Sequence, residues 1–443
     1  MKGTKTEKTA TDSSVSIDNI FRLDGRVPLE KAIPFGLQHI LAMFLANISP
    51  ILIVTGAAGL TFEQTARLVQ TAMFIAGIAT LVQLYPIWKI GAKLPIVMGV
   101  SFTFVAILST VGATYGYATA LGAILVGGII EGFLGIFAKH WYKLIAPVVS
   151  SSVVVAIGFS LLGVGARSFG GGYVEDFGNP EHLFLGTFTL LSCLIFHAKA
   201  KGFWKQLSIF VGLMLGYIVA MFMGMVDLSG LWADGFFSFP QFMSYGLEFH
   251  SGAIISVTIL FLVSATETIG DTTAMVSSGL NRDITEEEIS GSIACDGFSS
   301  AISSLFGCLP VTSFSQNVGL IAMTKVVNRF TIMTGAVAMV LAGMFPPLGN
   351  FFASLPDAVL GGCTIMMFGN IVTSGMEMLA KAGFTQRNVT IAAMALSVGL
   401  GFTQLPELFH SFPQLVQDVF STNCVAVVFV VALVLNLVMP KEK

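Results

Sequence analysis

The sequence predicts an all-α polytopic membrane protein of fourteen spanning segments, built as a 7+7 inverted repeat with short extended stretches in segments 3 and 10. Three observations carry this. Of the 443 residues 54% are apolar and only 11% charged, with a mean hydropathy of +0.84, so the chain lacks the polar groups to cover a water-facing surface. Apolar runs of spanning length recur from residue 33 onward; hydrocarbon about 30 Å thick takes roughly 20 apolar helical residues. Finally, two short segments open alike, LPIVMGVSFTF at Leu94 and LPVTSFSQNVG at Leu309, 215 positions and so about half the chain apart.

Taken in order, residues 1–32 are polar and charged, without the basic start, apolar core and small-residue cleavage site of a signal peptide, and read as a disordered cytoplasmic tail. Apolar runs bounded by charged or Gly/Pro-rich loops then place spans at 33–56, 65–86, 95–112, 117–138, 142–164, 181–197 and 205–226. A second seven follow at 251–278, 289–306, 310–328, 330–347, 355–380, 389–404 and 421–440. The count is testable by charge, because cytoplasmic loops collect Lys and Arg and one miscounted span would swap every later loop. All of the 22 Lys and Arg except Arg67 and Arg167 fall on one face, together with both termini, which this places in the cytoplasm.

Seven spans per half is an odd number, so the second half is inverted relative to the first. Proline followed by β-branched and small residues favours extended backbone, which lipid tolerates only where protein encloses it. Corresponding broken segments in inverted halves mark the binding site of a carrier for a small solute, although two ordinary loops sharing a dipeptide would look similar.

Other classes find little support. A net charge of -3 and the absence of a basic stripe with interleaved aromatics argue against nucleic acid. Cys193, Cys295, Cys308, Cys363 and Cys424 stand singly in apolar runs, as small buried hydrophobes rather than a metal or redox site. No HExxH, GxSxG or P-loop pattern points to an enzyme, and no metal or organic cofactor is expected.

The polar residues inside apolar sequence are few. Glu267 and Asp271, in SATETIGDTTAM, lie four apart and so share a helix face. Acids at membrane depth cost about 2.5 to 3.5 kcal/mol on insertion scales and usually face a cavity or a partner. Burial favours the neutral form of a carboxyl, which suits a group that must gain and lose a proton; a structural acid bonded to nearby backbone is the alternative reading. Asp296 and His39 are the other deep ionisable groups, and His39 taken alone reads first as a structural hydrogen-bonding residue. Glu131 and Glu377 are expected near the cytoplasmic ends, within reach of water, and receive no role. In segment 10 an extended stretch runs into Gln316 and Asn317 and a helix then begins near Gly319, offering amide groups and unpaired helix N–H donors suited to a planar, amide-like ring. The 215-residue register sets Ser101 and Phe102 opposite Gln316 and Asn317, so Phe102 could stack on a flat ligand.

These residues resemble the nucleobase/ascorbate transporter family, in particular its xanthine and uric acid permeases, over almost the whole chain after residue 32. The family's segment-ten motif of Gln, Glu or Pro followed by N-x-G-x-x-x-x-T and Arg, Lys or Gly is matched by Gln316 to Lys325. Gln38-His39, Glu267 to Asp271 and Leu360-Gly361-Gly362 match the Gln-His pair, the acid-x-x-Gly-Asp motif and the LGG motif. The resemblance implies a core domain in two parts, 33–140 and 251–350, and a gate domain in two parts, 141–250 and 351–443, with a homodimer contacting through the gates in the cell membrane. It implies that Glu267 and Gln316 hydrogen-bond a purine, that Phe102 lies over it, and that backbone beside Ser101 and Ser315 completes the site. His39, Asp271, Asp296 and Asn317 would form the surrounding polar network for coupling to protons, the one coupling ion expected. Uracil permeases of the family typically carry Glu at the position of Gln316, which favours a purine dione, xanthine or uric acid. A uracil/pyrimidine proton symporter and, more distantly, a sulfate-type anion transporter of the same plan are the alternatives.

Overall fold

The computed structural model describes residues 15–440. Its first half contains α1 (Leu29–Ala57), α2 (Phe62–Leu84), β1 (Met98–Val100), α3 (Val105–Tyr115), α4 (Tyr117–Ile136), α5 (Pro147–Phe169), α6 (Pro180–Lys199), α7 (Phe203–Gln206) and α8 (Ser208–Phe222). The second contains α9 (Ser251–Met275), α10 (Glu286–Leu305), β2 (Val311–Ser313), α11 (Ser315–Thr324), α12 (Arg329–Ala342), α13 (Pro346–Ala353), α14 (Asp357–Ala382), α15 (Gln386–Phe402), α16 (Gln414–Phe420) and α17 (Cys424–Val438). Each segment read from the sequence coincides with a helix or, for the third and tenth, with a strand leading into a helix. Local signals fix the starts: Thr61 and Gln64 form a capping box on α2, Thr285 and Glu288 another on α10, and proline opens α5 and α6.

Among the described residues, seven helices are long and apolar enough to cross a membrane: α1, α2, α4, α5, α6, α9 with its π turn, and α14. Two pairs meet the same test together across a bend, α12 with α13 at 80° and α16 with α17 at 96°, while α3 and α8 are shorter apolar helices. The chain is a multi-pass membrane protein.

Helix contacts come in equivalent sets. α5 packs on α14; α4 packs on α10 as α2 packs on α12; α1 meets α12 as α4 meets α9; and α6 lies against α8 as α15 lies against α17. Each set exchanges helices that hold the same place in the two halves, as an inverted repeat requires. The strands show the same relation at atomic scale, since β1 and β2 pair antiparallel with Met98 opposite Ser313, Gly99 opposite Thr312 and Val100 opposite Val311. Met98 and Ser313 are the residues matched by the 215-residue register, so the local two-fold passes between them.

Extended backbone at this depth needs every amide satisfied by protein. Asn47 Oδ1 accepts from Val100 N at 2.8 Å and Thr80 Oγ1 from Met98 N at 2.9 Å. Across the two-fold, Ser300 Oγ accepts from Val311 N at 3.0 Å and Asp296 Oδ2 from Ser313 N at 3.3 Å.

Besides the start of α11, expected near Gly319 but found at Ser315 so that Gln316 and Asn317 lie in its first turn, two expectations need correction. The tail read over residues 1–32 lies partly outside the described residues, but from residue 15 it is packed rather than disordered. A 3₁₀ turn spans Ile17–Phe21, Val327 N donates to Ile20 O at 3.1 Å, and Arg329 N donates to Leu23 O at 3.0 Å. Asn328 Nδ2 donates to Arg22 O and Gly25 O, Arg329 pairs with Asp24, and Ile20, Val27, Ala32 and Val326 bury a small apolar cluster. Composition missed this because few apolar residues suffice when a fixed partner surface supplies the hydrogen bonds. The second correction concerns Glu131, expected to reach water: its relative exposure is 0% and neither carboxylate oxygen has a hydrogen-bond partner.

Candidate substrate site

A cavity of about 350 Å³ opens beside the strand pair, within the range of about 300 to 1,000 Å³ usual for small-molecule sites. Its deep wall is formed by Ser101, Phe102 and Thr103 after β1, by Glu267 and Asp271 on α9, and by Thr312 to Gln316 at the junction of β2 and α11. α1, α5 and α14 close the sides with Leu41, Leu45, Val154, Ile157, Met367 and Ile371, and the remaining lining includes His197, Lys205 and Gln206. Helices follow both strands directly, so the unpaired N–H groups and positive dipole ends of two broken segments converge on the cavity.

The carboxylates are tied, not free. Thr103 Oγ1 donates to Glu267 Oε2 at 2.6 Å. Asp271 accepts from Ser315 Oγ at 2.8 Å and from Ser313 Oγ at 3.2 Å. Gln316 and Ser315 are exposed to the cavity, whereas Phe102 is buried at 8% and meets Phe368 of α14 edge-on, with ring centroids 5.5 Å apart. Glu267 therefore keeps one oxygen for a ligand, Gln316 offers an acceptor and two donors, and Phe102 supplies an aromatic surface beside them. A flat, polar-edged ring is the shape and chemistry that such walls accept.

Of the residues singled out in the sequence, Ser101, Phe102, Glu267, Asp271, Ser315 and Gln316 line this cavity. His39, Asp296 and Asn317 stand behind its wall. Asn317 Nδ2 donates to His39 O at 2.9 Å and lies 3.2 Å from His39 Nδ1, tying α11 to α1. Asp296 accepts from Thr268 Oγ1 as well as from Ser313 N, joining α10 to α9 and β2. The network runs on through Ser292, which accepts from Thr272 Oγ1 at 3.0 Å and from Gln83 Nε2 at 2.9 Å. Sequence reasoning missed Thr103, Thr268, Ser313 and the α7 lining residues. Thr103 and Ser313 carried a signal, since each lies in a segment already marked as broken. All five cysteines are buried, as expected of small apolar side chains.

Broken segments meeting at a polar cavity inside a bundle of membrane helices define a permease, not an enzyme. The chain belongs to the Permease family, the nucleobase/ascorbate transporters, whose sequence model matches residues 30–408. It is 34% identical over 442 residues to the xanthine permease XanQ of Escherichia coli strain K12, covering 96% of this chain and 94% of the other. With the xanthine permease of Bacillus subtilis strain 168 it shares 34% over 412 residues, covering 92% and 93%. Among solved structures it shares its fold with the transmembrane domain of the cyanobacterial bicarbonate transporter BicA, at a TM-score of 0.55 and 13% identity over 93% of this chain and 98% of that one. SLC26A9 gives a TM-score of 0.60 and 12% identity over 92% and 66%. The chain is accordingly a nucleobase permease.

Proposed function

We propose that the protein imports a purine dione, xanthine or uric acid or both, by proton symport across the cell membrane. The observation that carries the reading is that Glu267 and Gln316, from different halves of one α9–α11 wall, face a single cavity together with Phe102. A dione ring presents carbonyl acceptors and ring N–H donors on one edge. Glu267 accepts a ring N–H, while the Gln316 amide donates to a carbonyl and accepts a second N–H; an ionised Glu at position 316 could only accept. The xanthine permeases among the relatives support the same substrate class.

In this reading all fourteen segments cross the membrane with both termini in the cytoplasm. Segments one to four and eight to eleven, residues 33–140 and 251–350, form a core that slides against a gate made of 141–250 and 351–443. Lys205 and Gln206 then line the cavity at its cytoplasmic side. The gate supplies a homodimer contact, and α6, which exposes Phe184, Leu191, Leu194 and Ile195, has apolar surface available for lipid or a second copy. Backbone beside Ser101 and Ser315 completes the site, and Asp271, Asp296, His39 and Asn317 hold the two broken segments in place and link substrate binding to protonation. Binding and protonation then strengthen one another reciprocally.

The test is uptake of labelled xanthine by the wild type and by Gln316→Glu, with and without a protonophore. Loss of purine uptake or a shift of preference in the variant, and collapse of wild-type accumulation with the protonophore, are expected. Unchanged purine affinity in Gln316→Glu removes Gln316 from the site, and uptake indifferent to protonophore and external pH removes proton symport.

A further inference from the structure

Glu131 has no place in the site just described, yet among the carboxyls of the described residues it is the least well satisfied. It lies on α4, five positions before the helix ends, with 0% relative exposure and no partner for either oxygen. Among the described residues no other carboxyl has both oxygens buried and unpaired. A bare carboxylate in such surroundings is severely penalised, and even the neutral acid leaves its hydroxyl unbonded. Packing alone would be served better by an apolar side chain.

The seam around it explains how it comes to be sealed. A Cβ added at Gly128 would meet Gly297 O at 2.7 Å, at Gly132 the Phe298 ring at 2.8 Å, and at Gly135 Ala294 N at 2.3 Å, so α4 and α10 run backbone against backbone there. Gly297 follows Asp296 directly, and Asp296 itself keeps Oδ1 buried without a partner. Beyond Glu131 toward the end of α4, Ala138, Ala265, Ile289 and Ile293 close the seam with Trp141 packed over them. From α10 the titratable group near Glu131 is Asp296 and from α9 it is Glu267. α3 carries no acid or base along its packed length, and Lys139 and His140, past the end of α4, are exposed. Two acids with three buried, unpartnered oxygens thus stand on helices packed backbone against backbone, and the other oxygen of Asp296 reaches the site through Ser313, whose hydroxyl donates to Asp271.

We propose that Glu131 is a proton-exchanging carboxyl of the transport cycle, acting with Asp296 as one pair whose joint proton content differs between the loaded and the empty core. A proton taken from the outside solution binds this pair as substrate binds, and the same proton leaves to the cytoplasm as substrate is released. Like charges in one enclosed space cannot both be ionised cheaply, so the pair titrates as a unit and either member alters the other. The change reaches the cavity as a change in how Asp296 holds Ser313. Glu131 never touches substrate; it is a positioning and proton-holding residue. This rests on the proposed proton-coupled purine uptake.

The experiment uses the full protein in liposomes with an internal pH dye, and equilibrium binding of labelled xanthine in detergent across a pH series. For the wild type, each linked proton changes affinity by about tenfold per pH unit within its window. Glu131→Gln, which mimics the neutral acid, is expected to stay within about threefold of wild-type affinity on the acid side while its pH slope and its proton entry per xanthine fall by about half or more. A wild-type slope and proton flux retained in Glu131→Gln overturn the assignment and leave Glu131 as neutral filler. Should that variant fail to assemble, Glu131→Asp keeps the carboxyl, and the infrared difference spectrum on adding xanthine is compared with wild type. A shifted protonated-carboxyl band supports the proposal, and an identical spectrum overturns it. Wild-type protein that takes up no xanthine overturns the functional reading itself, and the inference with it.

Discussion

Asp296 holds the amide of Ser313 at 3.3 Å just as Thr80, its counterpart in the other half, holds the amide of Met98 at 2.9 Å. The two strand residues lie opposite one another on the local two-fold. An acid therefore stands where the first half has a hydroxyl, and the same structural duty is discharged with a group that can also carry charge. That asymmetry separates scaffold from mechanism in this fold.

The first prediction follows. Asp296→Ala leaves the buried amide of Ser313 without its acceptor and should destabilise the protein by about 1 to 3 kcal/mol. Asp296→Asn keeps an acceptor for Ser313 N and should unfold close to wild type while losing proton-driven accumulation. Thermal unfolding in detergent measures the first difference and uptake the second; equal unfolding of Ala and wild type would remove the structural role.

Thr103 orients Glu267 through the 2.6 Å hydrogen bond. Thr103→Val should weaken xanthine binding by about tenfold or more, as expected for loss of a hydrogen bond to a charged group worth about 1.5 to 3 kcal/mol. Thr103→Ser should restore most of it. Equilibrium binding of labelled xanthine decides, and an unaffected Val variant would mean that Glu267 is positioned by other contacts.

α14 approaches both α5 and α6 closely at the LGG motif, where a Cβ on Gly361 would lie 2.1 Å from Phe169 N of α5 and one on Gly362 2.6 Å from Gly186 O of α6. Neither atom can give way, since both are backbone. Gly361→Ala should cost about 1 to 3 kcal/mol by overpacking. A melting temperature equal to wild type for Gly361→Ala would show that α5 and α14 separate without penalty.

Asn328 ties the N-terminal segment to the start of α12, donating to Arg22 O at 3.1 Å and Gly25 O at 3.0 Å and accepting from Thr331 N at 2.9 Å. Asn328→Ala removes a helix cap worth about 0.5 to 2 kcal/mol along with both tethers. The variant should expose the segment around Arg22 and Arg26 to trypsin several-fold faster than wild type. Equal cleavage rates would show that the segment is held by its apolar contacts alone.

Much of this was legible in the sequence, and what was legible was local. The Leu-Pro openings at Leu94 and Leu309 announced the crossing strands because proline restricts its own neighbourhood whatever surrounds it. The acid pair on α9 and the Gln-Asn of α11 were visible as polar groups in apolar sequence. Glu131, Thr103 and the N-terminal segment were misread or missed because their environments are set by another helix's surface. Glycines at Gly128, Gly132 and Gly135 seal Glu131 against α10, and nothing within α4 states which helix will fill that seam. The bends between α12 and α13 and between α16 and α17 were likewise invisible to an apolar-run reading, which averages over a turn of that length.

The account turns on what the cavity holds, and uptake of labelled xanthine tests it most directly, in cells lacking their own purine and pyrimidine permeases and challenged with excess unlabelled uric acid, hypoxanthine, guanine or uracil. The account predicts strong uptake that uric acid blocks and uracil does not. No xanthine uptake by well-expressed protein, or uptake blocked by uracil as strongly as by uric acid, would contradict it.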